Sequence, residues 1–193
     1  MIESTLHHSV LNAELLSFLD IKKDGVYLDA TYGRGGHSAL VLSRISKSGK
    51  LLAFDRDREA VTDALIKFGE DDRFTINHAK FSSISELLSE FRNKIDGIYF
   101  DLGLSSPQLD NAERGFSFQK SGFIDMRMDQ SSDGGSAFDW VNSAKEYEIR
   151  DVLSKFGEQR YAKSIAKKIV SSRALKTIDT THELAQIVRS CIK

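Results

Sequence analysis

The chain has little of what staples, stiffens or anchors a protein. Its 193 residues include one cysteine, Cys191, and one proline, Pro107. A single thiol excludes an internal disulfide framework and a cysteine-based zinc site. His7, His8 and His37 have no metal-ligand spacing, so no metal is expected. No uninterrupted apolar run comes near the ~20 residues of a membrane-spanning helix. Met1-Ile2-Glu3-Ser4 opens with an acid and lacks the basic n-region of a secretory signal. Neither sign of charge dominates: 27 Lys and Arg face 28 Asp and Glu, and a net charge of -1 excludes a nonspecific polycation. Internal repeats and low-complexity tracts are missing too. What remains, 40% hydrophobic and 28% charged residues, suffices for one core and a small second unit. The expectation is a soluble, cytoplasmic, globular protein.

Apolar spacing lays out the elements. Residues 9–20 have helix-like spacing, and Asp24-Gly25 reads as a turn. Val26-Tyr27-Leu28 reads as a strand closed by Asp29, and helical spacing resumes at Ala39-Leu40 and Leu42. Leu51-Leu52-Ala53-Phe54 reads as a second strand, closed by Asp55. A helix over 58–68, a third strand near Phe74–Ile76, a helix over 83–92 and a fourth strand over 95–100, closed by Asp101, follow. This alternation predicts an α/β fold: a Rossmann-like sheet of about four parallel strands. Acids at strand ends lie on the carboxyl edge, where open α/β sheets bind ligands. After Asp101 the texture changes. Residues 102–137 read as loop, with Pro107 shaping a turn, and helices are predicted over 145–155, 158–174 and 180–192, the last capped by Thr180-Thr181. The expected organisation is therefore a ligand-binding α/β domain over 1–110, a loop-rich connection over 111–137 and a helical domain over 138–193.

The first strand runs into Asp29-Ala-Thr-Tyr-Gly33-Arg-Gly35-Gly36-His37-Ser38. Glycines there permit a tight turn and let a ligand approach the backbone at a helix start. Asp55 follows Gly35 by 20 residues, where an acid accepts hydrogen bonds from ribose hydroxyls. Two ligand classes use this layout. A dinucleotide wants G-x-G-x-x-G, but Ser38 stands where the third glycine belongs. S-adenosylmethionine carries no phosphate, and its cationic sulfonium and ammonium suit an edge bearing Asp29, Asp55 and Asp101. A glycine turn without a ligand is the third reading. Phe81, after the third strand, is placed either to pack on an adenine ring or as a core residue, and His37 reads as a helix-start residue before it reads as a catalyst. No G-K-[ST] of a P-loop occurs.

Asp101-Leu-Gly-Leu-Ser105-Ser106-Pro107-Gln108-Leu-Asp110 leaves the fourth strand at the same edge. A methyl acceptor would meet a sulfonium there. An exocyclic base amine has its lone pair conjugated into the ring, so groups that bind its hydrogens and turn the lone pair toward the methyl do most of the work. Amine methyltransferases often use an Asp/Asn/Ser-Pro-Pro-aromatic loop; here only Ser106-Pro107 matches. Taken with Thr31-Tyr-Gly-Arg-Gly-Gly-His-Ser38, Phe54-Asp-Arg-Asp57, Glu113-Arg-Gly-Phe-Ser-Phe118 and Asp125-Met-Arg-Met-Asp129, this loop closely resembles the RsmH (MraW) family of bacterial 16S ribosomal RNA cytosine N(4)-methyltransferases. The resemblance runs from about His7 to the end of the chain. It implies S-adenosylmethionine as cofactor, a cytidine in the decoding region of 16S rRNA as substrate, within the small ribosomal subunit, and a helical domain inserted into the methyltransferase sheet. By position it implies donor contacts at Gly33, Gly35, Gly36, His37, Asp55, Phe81, Asp101 and Gln108, with Asp101, Ser105, Ser106 and Pro107 positioning the amine.

Between Lys155 and Lys176 basic residues outnumber acids, and Arg160, Lys163 and Lys167 share one helical face opposite Ala162, Ile165, Ala166 and Ile169. With Lys168, and with Arg114 and Arg127 from the motifs, they are candidate RNA contacts; the other reading of the helix is a solvated face. The family resumes its sheet after the inserted helices, whereas this chain stops at Lys193, within the insert. The expectation is therefore weak or absent catalysis by the isolated chain and self-association through the edge of the fourth strand. The rival readings are a non-catalytic S-adenosylmethionine- or RNA-binding remnant and a nicotinamide-dependent oxidoreductase.

Overall fold

The computed structural model describes residues 11–91 and 93–192. Met1–Ser4, His7, His8 and residues 9 and 10 of the predicted opening helix lie outside them. The chain divides into two compact units between Gly103 and Leu104.

The first unit runs α1 (Asn12–Leu19), β1 (Val26–Asp29), α2 (Gly36–Leu42), β2 (Lys50–Asp55), α3 (Arg58–Phe68), β3 (Phe74–His78), α4 (Ile84–Leu87) and β4 (Gly97–Tyr99). Its strands form one parallel sheet in the order β3-β2-β1-β4. The predicted α/β, Rossmann-like class is the one observed. Strands covered on both faces read as continuous apolar runs because each face needs its own set of side chains. Here Tyr27, Leu51 and Ala53 pack into the core that holds Val41 and Ala60, while their neighbours Leu28, Leu52 and Phe54 pack into the core that holds Leu88. Complete burial of such side chains contributes ~1.5–3 kcal/mol each. That anchors the strand ends. Register pairs Asp29 with Ala53 and Tyr99, and Asp55 with His78, so the acid-bearing ends lie along one edge.

Two elements of this unit differ from expectation. The predicted helix over 83–92 is α4 flanked by 3-10 turns at Phe81–Ser83 and Ser89–Phe91. Ser82, Ser83, Ser85 and Ser89 crowd this stretch, and serine hydroxyls compete with the helix for backbone groups. The predicted six-residue strand over 95–100 is the three-residue β4. β4 begins after Asp96, whose N–H still donates to the Val26 carbonyl at 2.8 Å while its carboxylate accepts from the Val26 N–H at 3.0 Å and the Lys22 ammonium at 2.8 Å.

The second unit contains α5 (Ser106–Asp110), a 3-10 turn at Ala112–Arg114, α6 (Ala137–Ser143), α7 (Glu146–Lys155), α8 (Ala162–Arg173) and α9 (Thr181–Arg189). The division at 103/104 replaces the expected one at 110, and residues 111–137 are not a connection. Ile124 is fully buried in the core formed with Val141, Ile149, Ile165, Ile169 and Ile178, and Phe123 pairs with Thr180 in an isolated bridge. Ile124 joins that stretch to the core, and its buried Arg114 and Asp125 hold it from within. The expected cap of the last helix forms: Thr180 Oγ1 accepts from Glu183 N–H at 3.2 Å, and Glu183 Oε2 accepts from Thr180 N–H at 3.0 Å. Among the described residues no helix is long and apolar enough to cross a membrane.

Candidate functional site

The turn between β1 and α2 is held by the strand beside it. Tyr32 N–H donates to the Phe54 carbonyl at 2.9 Å, Gly35 N–H to the Tyr32 carbonyl at 2.9 Å, and Gly33 N–H to Asp55 Oδ2 at 2.8 Å. Gly33 and Gly35 have φ of +58° and +75°, a region that side chains with a Cβ rarely enter. A Cβ on Gly35 would strike the ring of Tyr32, which is itself buried. A Cβ on Gly33 would meet only the Thr31 carbonyl oxygen, at 3.9 Å. The outer side of Gly33 is open space above the backbone, a cradle that a ligand can enter. Gly35 is the N-cap of α2, with Gly36 and His37 in its first turn.

Three carboxyl groups border this cradle. Asp29 is buried, and its Oδ2 accepts from Ser38 Oγ at 2.7 Å and Tyr99 Oη at 3.0 Å, while Oδ1 accepts from Thr31 N–H at 3.1 Å. Burial pushes its carboxyl up to about 6, and those three hydrogen bonds resist the rise. Asp55 is also raised by burial, opposed by hydrogen bonds from the Asp57 N–H, at 2.8 Å, and the Gly33 N–H. Asp101 follows β4 by two residues. Its N–H donates to Thr31 Oγ1 at 2.7 Å, and its half-exposed carboxylate lies 3.7 Å from His37 Nδ1. His37 packs edge-on against Tyr99, ring centroids 6.2 Å apart. Phe81 is 49% exposed, which removes it from the core and leaves a ring face for a ligand, and it meets Phe100 edge-to-face at 5.7 Å.

The predicted residues Gly33, Gly35, Gly36, His37, Asp55 and Asp101 are thus tied together at the carboxyl edge, directly or through Thr31, Tyr32 and Tyr99. Sequence reasoning gave no role to Ser38, Thr31 or Tyr99. Ser38 and Thr31 stand inside the glycine segment close to Asp29, whereas Tyr99 reaches Asp29 only because β4 pairs with β1. The donor set suits a ligand carrying a diol and positive charge. It does not suit a pyrophosphate: the cation of the loop, Arg34, pairs with Asp63 at 2.9 Å.

In the second unit, Ser105 caps α5 and Pro107 sits in its first turn. Gln108 is 5% exposed, and its Oε1 accepts from the Ser105 N–H at 2.9 Å. The Ser-x-x-Gln spacing and the proline were a helix-start signal inside what reads as loop. Arg160, Lys163, Lys167 and Lys168 are exposed, and none has an ion-pair partner among the described residues. Ala162, Ile165, Ala166 and Ile169 are buried on the other side of α8, as their spacing predicts. Arg173 and Lys176 are otherwise employed, the first donating to the Val141 and Ala144 carbonyls and the second pairing with Glu183 at 2.7 Å. Arg114 and Arg127 are corrected as RNA contacts. Arg114 is 2% exposed and donates to the Met128 carbonyl at 2.8 Å. Arg127 is clamped by Asp125 at 2.6 Å and donates to the Ser132 carbonyl. Both guanidiniums brace the loop over 125–134, where backbone carbonyls need donors more than RNA needs cations.

The family model of the MraW methylases matches residues 4–193. The chain belongs to the MraW methylase family. That family implies S-adenosylmethionine as cofactor, and the cradle described above fits it. Among solved structures, a Clostridium thermocellum protein described as an rRNA methylase is 21% identical over 39% of this chain and 45% of its own, with a TM-score of 0.36. A Thermotoga maritima protein described as a SAM-dependent O-methyltransferase is 28% identical over 39% of this chain and 28% of its own, with a TM-score of 0.33. Each match spans less than half of the solved chain.

Proposed function

We propose that this MraW-family chain serves methylation of the N(4) amine of a cytidine in the decoding region of 16S ribosomal RNA, within the small subunit, in the cytoplasm. The observation that carries the reading is the Gly33–Asp55 contact. It builds an open, carboxylate-bordered cradle beside Asp101 in a chain matched to the family over nearly its full length.

S-adenosylmethionine supplies an electrophilic methyl group on a sulfonium when bound. Asp55 would hold the ribose end: backbone N–H groups of Gly33, Asp57 and Arg56 use part of its acceptor capacity, and the remainder is available to hydroxyls. Phe81 offers its exposed ring face to the purine. Asp29 acts at one remove, fixing Ser38 in α2 and Tyr99 in β4, the two elements that flank the cradle. Asp101 is placed on the acceptor side, and the family resemblance assigns Ser105, Ser106 and Pro107 to positioning the amine. A carboxylate or carbonyl there accepts the amine hydrogens and turns the nitrogen lone pair out of conjugation toward the methyl. The amine proton becomes acidic only as the new bond forms, so no strong base is needed, and half-exposed Asp101 can pass it to water. Gln108 is assigned to the donor by the family resemblance. The exposed cations of α8 would meet phosphates.

Separate calorimetric titrations with S-adenosylhomocysteine and NAD test the donor half, since a nicotinamide enzyme would favour the second. Transfer of a labelled methyl group to small subunits lacking the modification tests the acceptor half and separates an enzyme from a binding remnant.

A further inference from the structure

Between α7 and α8 the second unit carries a concavity of about 240 Å³. Arg150, Lys155, Arg160 and Lys163 line it, against one carboxylate, Asp151. Asp151 is already committed: it pairs with Arg150 at 2.8 Å and Lys155 at 3.6 Å, which hold its carboxyl below the usual range. The surplus positive charge sits on Arg160, in the turn before α8, and on Lys163, in its first turn, and both line the same wall. The turn joining the two helices also carries an unusual side chain for a charged surface. Phe156 is 83% exposed, immediately after Lys155, and Tyr161, 40% exposed, closes the turn. An aromatic ring left in water costs free energy that polar residues at the same place would not. The combination of a basic concavity and exposed rings is what single-stranded nucleic acid recognition uses: phosphates in the charged groove, bases stacked on the rings.

We infer that the α7–α8 turn is a binding site for an unpaired RNA nucleotide, with its phosphate in the concavity between Arg150, Arg160 and Lys163 and its base stacked on Phe156. The inference rests on the reading of RNA as the acceptor and adds that the contacted segment is single-stranded. A duplex hides its base faces in the stack, so it can use the cations but not the ring.

Fluorescence anisotropy with a short labelled oligocytidine and with an RNA duplex of the same length tests it. Phe156→Ala should weaken binding of the single strand about five- to a hundredfold, leave its salt dependence unchanged and barely alter duplex binding. Phe156→Trp should restore the affinity. Arg160→Gln with Lys163→Gln should weaken both RNAs and make the salt slope shallower by about one to two. S-adenosylhomocysteine binding, followed in parallel, should stay constant in every variant and reports an intact first unit. If Phe156→Ala binds the single strand as the parent does, or loses single strand and duplex alike, the stacking site is overturned while RNA methylation stands. If the parent chain binds neither oligonucleotide nor small subunits, the inference and the acceptor reading fall together.

Discussion

Asp29→Asn should change the pH dependence of stability, with its effect largest above about pH 6. The Asp29 carboxyl is buried and raised from the ordinary 3.8 to about 6, so the folded chain keeps this proton longer than the unfolded chain does. Its contribution favours the folded state below the unfolded value and is lost as pH rises through about 6. At about 1.4 kcal/mol per pH unit, ionised Asp29 costs the folded state on the order of 3 kcal/mol by neutral pH. An amide has the same shape and no charge. Its oxygen can accept from Thr31 N–H or Ser38, and its NH2 can donate to Tyr99 Oη or Ser38 Oγ, because hydroxyls accept as well as donate. Urea unfolding followed by far-ultraviolet circular dichroism, from about pH 4 to about pH 7.5, should show the variant gaining on the parent by roughly 2.5 kcal/mol as pH rises. Asp55 is raised in the same direction but is common to both proteins, so the difference isolates Asp29. Parallel profiles would refute the reasoning, and a variant that loses ground with rising pH would reverse it.

Asp55→Ala removes a charged acceptor from the ribose end and the anchor of the Gly33 N–H, so S-adenosylhomocysteine affinity should fall roughly ten- to a hundredfold by calorimetry. Gly35→Ala places a Cβ at φ +75° and against the Tyr32 ring; donor binding should be lost, with a cost of about 1–3 kcal/mol in unfolding experiments. Replacing Lys163, Lys167 and Lys168 together by Gln should lower affinity for small subunits and flatten the salt slope while sparing S-adenosylhomocysteine binding; unchanged affinity and slope would make α8 a solvated face. The edge strand β4 exposes Ile98 at 47%, with Phe100 beside it at 52%; light scattering should detect association that grows with concentration and that Ile98→Lys suppresses, whereas a parent that stays monomeric removes the β4 edge as a contact.

Much of the first unit was legible because its signals are local. The helix expected over 58–68 is observed at Arg58–Phe68, where Asp57 caps it and Gly69 follows it, and the strand runs are legible because both faces of a parallel sheet demand apolar residues. Gly33, Gly35 and Asp55 were placed by spacing, since a turn needing left-handed backbone and a strand ending in an acid leave a written trace. The buried network of Asp29 was harder to see, because beside the neighbouring Thr31 N–H its partners are Ser38 from α2 and Tyr99 from β4, 70 residues away. The second unit was harder. Its stretch over 104–137 has the composition of a loop, and neither the burial of Ile124 nor the inward turn of Arg114 can be seen from neighbours in sequence. A charged residue in a motif therefore looked like an RNA contact when it was a brace. Phe156 is the converse case: an aromatic residue in sequence is expected inside, and only the structure shows it outside.

The most direct test of the whole account is the identity of the methylated nucleoside. Small subunits lacking the modification are incubated with a high concentration of this chain and labelled S-adenosylmethionine, and the 16S rRNA is then digested to nucleosides and separated by mass. Label should be confined to N(4)-methylcytidine and should be abolished, together with S-adenosylhomocysteine binding, by Gly35→Ala. Label in any other nucleoside, or none from a chain that binds S-adenosylhomocysteine and small subunits, would contradict the account.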